Sequence, residues 1–341
     1  MRTCLTLLLG VLLLAPAPAR GKLKVVTTNA DYHYVVEELA GDRAEVVHLV
    51  RADQDPHFIR PKPSLAQLLA DADLLVATGM DLEMWLPTLI DKSGNPRIRE
   101  GQIGYVAVSE GLRRIEIPVS VDRAAGDVHV LGNPHIQTSP INMRVVAKNI
   151  AIGLVKVDPD HRAAYENRLK AFQRRIDEHL FGKELVKMIG GERLCALAEK
   201  GKLVSFLEKR KVKGSPMVDL LGGWMKKALS LRGRKVVSFH KNWGYFEVLF
   251  GVDFVAEIEA KPGIPPSPGD VKRIIERMTA LDVKVIFAAN YFDRSKIRRI
   301  SEAVGATEVI VPLSVGGAPG ADSYWKLVDL WLDSLLAALE G

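Results

Sequence analysis

The feature that most constrains the fold of this chain is an alternation of short β-branched runs with helical patterns, made twice over. Residues 23–28, 44–50, 73–78 and 104–108 read as strands, with helices near 32–40, 64–70 and 84–90. The rhythm returns at 235–239, 253–258, 283–288 and 308–311, with helices near 268–281, 293–304 and 324–339. Ser267 ahead of Pro268 supplies a cap and a first-turn proline for one of these helices. The alternation predicts an α/β fold of two Rossmann-like lobes with parallel sheets. Between them, Tyr165, Leu169, Phe172, Ile176 and Leu180 recur at spacings of three and four, the apolar stripe of one long helix. Over residues 159–181 it would be on the order of 34 Å long, a stiff backbone connector rather than a flexible linker. The expected organisation is a leader at 1–21, a first lobe at 22–157, the connecting helix at 158–182 and a second lobe at 183–341. That second lobe opens with an extended segment, 183–233, in which a helix is expected over 217–229. Residues 111–130 read as irregular.

The leader sets the compartment. Met1-Arg2, the apolar run from Leu5 to Leu14 and the small residues Ala15-Pro16-Ala17-Pro18-Ala19 make a secretory signal, with cleavage expected after Ala19 or Gly21. The run is too short for a permanent span, and no later segment reaches 18 apolar residues, so no membrane span is expected in the mature chain. Cys4 precedes the run, which argues against lipid attachment, and the expected location is periplasmic. Cys195 is then alone, and a disulfide within the chain is excluded. Stability must come from burial, for which a chain that is 48% apolar has the means. The net charge of +6 is scattered apart from a patch at Lys209-Arg210-Lys211-Val212-Lys213, without the aromatic interleaving of a nucleic-acid binder.

Four polar side chains stand just beyond strands or in loops bounded by proline and glycine. His57 lies in "RADQDPHFIRPKPS", where Pro56, Pro61 and Pro63 stiffen the loop. His135 lies in "GNPHIQTSP", His240 in "SFHKNWGYFE" and Asp322 in "GGAPGADSYW". Ligands of parallel sheets gather outside the carboxyl ends of the strands, so two candidates per lobe point to a cleft between the lobes. Three imidazoles and a carboxylate suit Zn²⁺, although Asp322 is equally placed to be a helix N-cap.

The blocks "HLVRADQDPHFIRPKPSLAQLLADADLLVATGMDLEMWL", "GDVHVLGNPHIQTSP", "KVVSFHKNWGYFEVLFG" and "GADSYWKLVD" resemble the metal-binding periplasmic solute-binding proteins of ABC importers, the zinc and manganese receptors. The resemblance covers nearly all of the mature chain and implies a receptor, not an enzyme. Its metal would be held between the lobes by His57, His135, His240 and Asp322 and delivered to an ABC permease with its ATPase. A periplasmic metallochaperone would be an optional donor, and the receptor is expected to be a monomer. His240 stands where manganese receptors resembling this chain carry glutamate, which favours Zn²⁺ over Mn²⁺. The histidine- and acid-rich loop of many zinc receptors is absent, and residues 182–233 are longer than usual for such proteins.

A manganese or iron receptor of the same kind is the alternative reading, followed by a secreted zinc hydrolase. The latter would need an open metal position and a base, and the sequence has no H-E-x-x-H, G-x-S-x-G or P-loop. His129 is a candidate auxiliary or entry-path ligand. Structural or exposed roles are expected for His48, His161 and His179, and a packing or capping role near the cleft mouth for His33. Trp85 reads as core and Glu83 as a supporting residue of the site. Each ligating imidazole needs its other nitrogen oriented by a carboxylate or carbonyl, but the sequence does not name those partners.

Overall fold

A computed structural model of the chain describes residues 21–118, 129–259 and 263–340. Apart from Gly21, the leader lies outside the described residues, as does 119–128 of the irregular stretch. In chain order the first half comprises β1 (Leu23–Thr27), α1 (Ala30–Ala40), β2 (Ala44–His48), α2 (Pro63–Ala70), β3 (Leu74–Ala77), α3 (Leu86–Ser93), β4 (Tyr105–Ala107) and α4 (Pro140–Val157). The helix α5 (Arg162–Phe181) follows, then α6 (Lys183–Ile189), α7 (Gly191–Glu199), α8 (Leu203–Glu208), a small hairpin of β5 (Lys211–Val212) and β6 (Ser215–Pro216), and α9 (Gly223–Lys227). The second half continues through β7 (Lys235–Ser238), α10 (Gly244–Phe250), β8 (Asp253–Glu257), α11 (Pro268–Ala280), β9 (Val285–Ala289), α12 (Arg294–Val304), β10 (Thr307–Val311) and α13 (Tyr324–Glu340).

The two four-stranded sheets have the same topology. The first runs β2-β1-β3-β4 and the second, read in the same sense, β8-β7-β9-β10, with every neighbouring pair parallel. In each, the chain leaves the first strand to one side for the second and returns past it for the third, so the strand order switches direction beside the first strand. β3 and β9 are buried along their whole length, as their unbroken apolar sequences require of central strands covered on both faces.

Burial is organised in three layers. Leu69, Leu86, Leu89 and Ile90 pack α2 and α3 on the outer face of the first sheet. Ile274, Met278, Ile297 and Ile300 do the same with α11 and α12 on the second. Between the sheets one continuous core takes Val36, Leu39 and Ile150 from the first half together with Phe246, Phe287 and Trp331 from the second. α5 lies in that shared layer. Tyr165, Phe172, Ile176 and Leu180 are buried in it and Leu169 packs at its margin, the stripe expected from the spacing. With 20 residues α5 is about 30 Å long, and a single 3₁₀ turn, Pro159–His161, precedes it.

Residues 183–233 are helical and anchored, with Leu185, Leu194, Cys195, Leu207 and Trp224 in the shared core. The single helix expected over 217–229 is broken instead into a 3₁₀ turn at Met217–Leu220, α9, and another turn at Ala228–Leu231. The cause is Gly223: it takes φ +60, and a Cβ there would lie 2.0 Å from the carbonyl oxygen of His179, so the backbones of α5 and α9 touch. The expected start of α11 is as built, with Ser267 and Asp270 forming a reciprocal capping box.

Candidate metal centre

His57 sits in the loop after β2, where Trp85 also takes part. The indole N–H of this largely buried side chain donates to the Pro56 carbonyl at 2.8 Å, holding the proline loop against the first lobe. Asp55 sits two residues before His57 and accepts both its backbone N–H, at 3.0 Å, and its ring Nδ1–H, at 2.6 Å. Although burial raises the pKa of Asp55, these bonds from His57 hold it below the ordinary carboxylate value. The proton on Nδ1 leaves the lone pair of Nε2 available as a donor atom, and in this structure it faces Nε2 of His129 at 3.1 Å.

His240 lies two residues past the end of β7. Its Nδ1 lies 2.5 Å from Oε2 of Glu259, which stands just past β8. The other oxygen, Oε1, accepts the backbone N–H of Gly263 at 3.1 Å, so the carboxylate is itself held. The lone pair of His240 Nε2 is thus available in the same way.

His135 is different in kind. It lies just before a 3₁₀ turn leading into α4, with its backbone N–H bonded to Asn133 Oδ1 at 2.9 Å. It is 0% exposed, and neither Nδ1 nor Nε2 has a hydrogen-bond partner among the described residues. Burial, and the neighbouring His57, His240 and His129, push its pKa well below the ordinary value, so the ring is neutral. The three rings face one another with centroids 5.0 Å apart for His57 and His135, 5.2 Å for His57 and His240, and 5.4 Å for His135 and His240. One nitrogen from each lies within 4.8 Å of the other two. A tetrahedral ion with bonds of about 2.0–2.1 Å sets its donors roughly 3.4 Å apart, a spacing that small side-chain rotations reach.

Asp322 is not gathered with them. It lies ahead of α13 with its side chain 68% exposed and paired with Lys326 Nζ at 2.9 Å. Nor does it cap the helix, a position that falls to Ser323, whose Oγ accepts the Lys326 N–H. The four expected donors therefore divide into a buried triad and an outward carboxylate. His129 flanks the triad, its Nε2 3.1 Å from His57 Nε2 and the two rings stacked at 5.1 Å. Burial, with His57 and His240 nearby, lowers its pKa to about 3.

Among the other histidines, His161 bonds Asp158 beside α5 and His179 stacks on Trp325. Glu83 is buried and its pKa is raised by that burial. It accepts from Thr28 Oγ1 at 2.6 Å and from the Thr78 N–H at 3.1 Å, tying the carboxyl ends of β1 and β3 together beneath the cleft. Asp55 and Glu259 are the functional side chains the sequence did not name. A signal exists for each: Asp55 is two residues from its histidine, a spacing that lets a carboxylate bond both backbone and ring, and Glu259 stands two residues past β8 as His240 stands two residues past β7.

Comparison with known proteins bears on the family and the fold. The family model described as zinc-uptake complex component A, periplasmic, matches residues 25–180 and 208–338. The stretch between the two matched parts, 181–207, falls within the segment read as longer than usual except for its first residue. The iron ABC transporter substrate-binding lipoprotein MtsA of Streptococcus pyogenes serotype M1 is 24% identical over 326 residues, 93% of this chain and 89% of its own. The manganese ABC transporter substrate-binding lipoprotein PsaA of Streptococcus anginosus is 23% identical over 325 residues, with the same coverage. Among solved structures, the periplasmic zinc-binding protein TroA of Treponema pallidum superposes with a TM-score of 0.67 at 20% identity, covering 94% of this chain and 99% of that one.

Proposed function

This chain belongs to the family of periplasmic zinc-uptake component A proteins, metal-binding receptors of ABC importers, and on that premise we propose that it captures Zn²⁺ for delivery to a permease and its ATPase. The reading is carried by His135, a fully buried imidazole whose two nitrogens have no partner among the described residues. A buried donor or acceptor without a partner costs about 1–3 kcal/mol, which a metal bond to that nitrogen offsets. His57, His135 and His240 form the preorganised part of the shell, with Asp55 and Glu259 fixing the tautomers of two of them. Asp322 is the fourth donor, recruited when the ion arrives. An exposed ion pair such as that with Lys326 contributes only about 0–1 kcal/mol, so releasing it opposes recruitment little.

Nitrogen donors at three positions favour zinc over manganese, whose preference is for oxygen. The two named relatives are substrate-binding lipoproteins of an iron and a manganese ABC transporter, which makes ion identity the point to test. The purified metal-free chain is offered equimolar Zn²⁺, Mn²⁺ and Fe²⁺, dialysed, and analysed for retained metal. One zinc per chain is expected. Retention of manganese or iron in its place would overturn the zinc assignment.

A further inference from the structure

We propose that His33 and His48 form a second, surface metal site on the first lobe, taking a borderline-soft divalent cation such as Zn²⁺ or Ni²⁺ separately from the buried triad. His33 is on α1 and His48 ends β2, and their Nδ1 atoms face each other at 3.2 Å. The rings stand nearly perpendicular, at 83°, with centroids 5.0 Å apart. Glu37, one helical turn beyond His33, lies 3.3 Å from its Nε2. A proton on that nitrogen bonds the carboxylate and leaves the Nδ1 lone pair of His33 turned towards His48. This is the arrangement that orients a ligating imidazole in metal proteins.

Two facing imidazole nitrogens can share one proton as a hydrogen bond or can share one cation. The spacing is close to what a shared cation needs, since bonds of about 2.0–2.1 Å in a tetrahedral shell set adjacent donors about 3.4 Å apart, and rotation of the His48 ring turns its lone pair to the common point. The backbone on either side is fixed. His48 is in parallel register with Thr27 of β1, and the His33 N–H bonds the carbonyl of Asn29, whose side chain caps α1. Burial, then the neighbouring His33, lowers the pKa of His48, so its ring is neutral and able to ligate near pH 7. His48 is desolvated on the side facing His33 and open to solvent on the other, which leaves the remaining coordination positions to water. Imidazole donors on a water-rich site suit zinc, nickel or copper and hold them more weakly than a closed shell does.

The experiment is a titration of the metal-free full chain with Zn²⁺ alone, followed by calorimetry and by the histidine ring resonances. The wild-type chain should take a tight equivalent and then a weaker one, with the His33 and His48 resonances moving only with the second. His48→Gln should lose the weaker event and keep the tight one, and His135→Ala should lose the tight event and keep the weaker one. A wild-type chain whose His33 and His48 resonances stay still throughout, or a weaker event that survives in His48→Gln, would overturn the second site. Loss of the tight event from the wild type would instead count against the triad.

Discussion

The backbone N–H of Val315 donates to Oδ1 of Asp31 at 3.0 Å, joining the first turn of α1 to the loop between β10 and α13. The carboxylate is fully buried and its second oxygen, Oδ2, has no partner among the described residues. Desolvation raises its pKa from 3.8 to about 6, against the lowering effect of Val315 and Ser314. A raised carboxyl pKa contributes stability that is present below the unfolded value of 3.8 and lost as the pH rises through about 6. The loss is at most about 3 kcal/mol. Asp31→Asn, which keeps the acceptor oxygen, should therefore gain on the wild type between pH 4 and pH 7.5. Urea unfolding of the metal-free proteins at both values checks it, and a constant difference would count against a charged buried Asp31.

His135 carries the opposite sign. Its depressed pKa means that its contribution to stability is present above about 6.5 and lost as the pH falls. More telling is its cost when no metal is bound, because an apolar side chain of similar size would leave no orphaned nitrogen. His135→Leu should abolish tight metal binding while making the metal-free protein more stable by about 1–3 kcal/mol. Melting of both metal-free proteins at pH 7.5 would disprove this if the variant were the less stable.

Glu259 reaches the candidate site through His240, whose Nδ1 lies 2.5 Å from its Oε2. Glu259→Gln removes the charge behind the ring while keeping the side chain's shape, and outer partners of this kind are worth roughly 10–100-fold in metal affinity. The zinc dissociation constant should rise by that factor, with the unfolding transition little changed. An unaltered constant would leave Glu259 as packing.

Much of this site could be read from the chain because strand ends and proline-bounded loops are local features. His57, His135 and His240 announce themselves by what precedes them, and the long stripe of α5 by its spacing. Asp322 shows the limit. Its place after the last strand was legible, but whether a carboxylate turns towards a cleft or towards Lys326 depends on side-chain rotation that no sequence pattern encodes. Glu259 was hidden for a related reason, since its partner is distant in sequence and the register that brings them together arises only from the pairing of β7 with β8. Gly223 read as part of a helix because the contact with α5 that forbids it comes from the shared core.

Lobe movement should be small. The shared core, the bond from the Tyr324 hydroxyl to the Gln137 carbonyl at 2.8 Å and that from Asn133 Nδ2 to the Lys241 carbonyl at 2.8 Å all cross between the halves. Zinc should raise the melting temperature by mass action without a large closure. Small-angle scattering should give nearly the same radius of gyration with and without metal, and a fall typical of full domain closure would refute this.

His240 is where the zinc and manganese readings separate, and Glu259 complicates the obvious substitution. His240→Glu exchanges a nitrogen donor for a harder oxygen, which should weaken zinc binding and narrow its preference over manganese. It also places a second carboxylate beside Glu259, whose Oε2 now accepts from the ring at 2.5 Å. Like charges that close oppose each other's ionisation, so the single variant should bind every ion poorly. His240→Glu combined with Glu259→Gln relieves that repulsion and isolates the donor change. In the double variant the zinc-to-manganese preference should narrow without inverting, because His57 and His135 still suit zinc and zinc stands above manganese in the general affinity order. His161→Ala, remote on Asp158 beside α5, should leave both constants untouched. Competition titrations of the three variants decide it: an unchanged preference in the double variant, or weakened binding in His161→Ala, would show that the metal is held elsewhere.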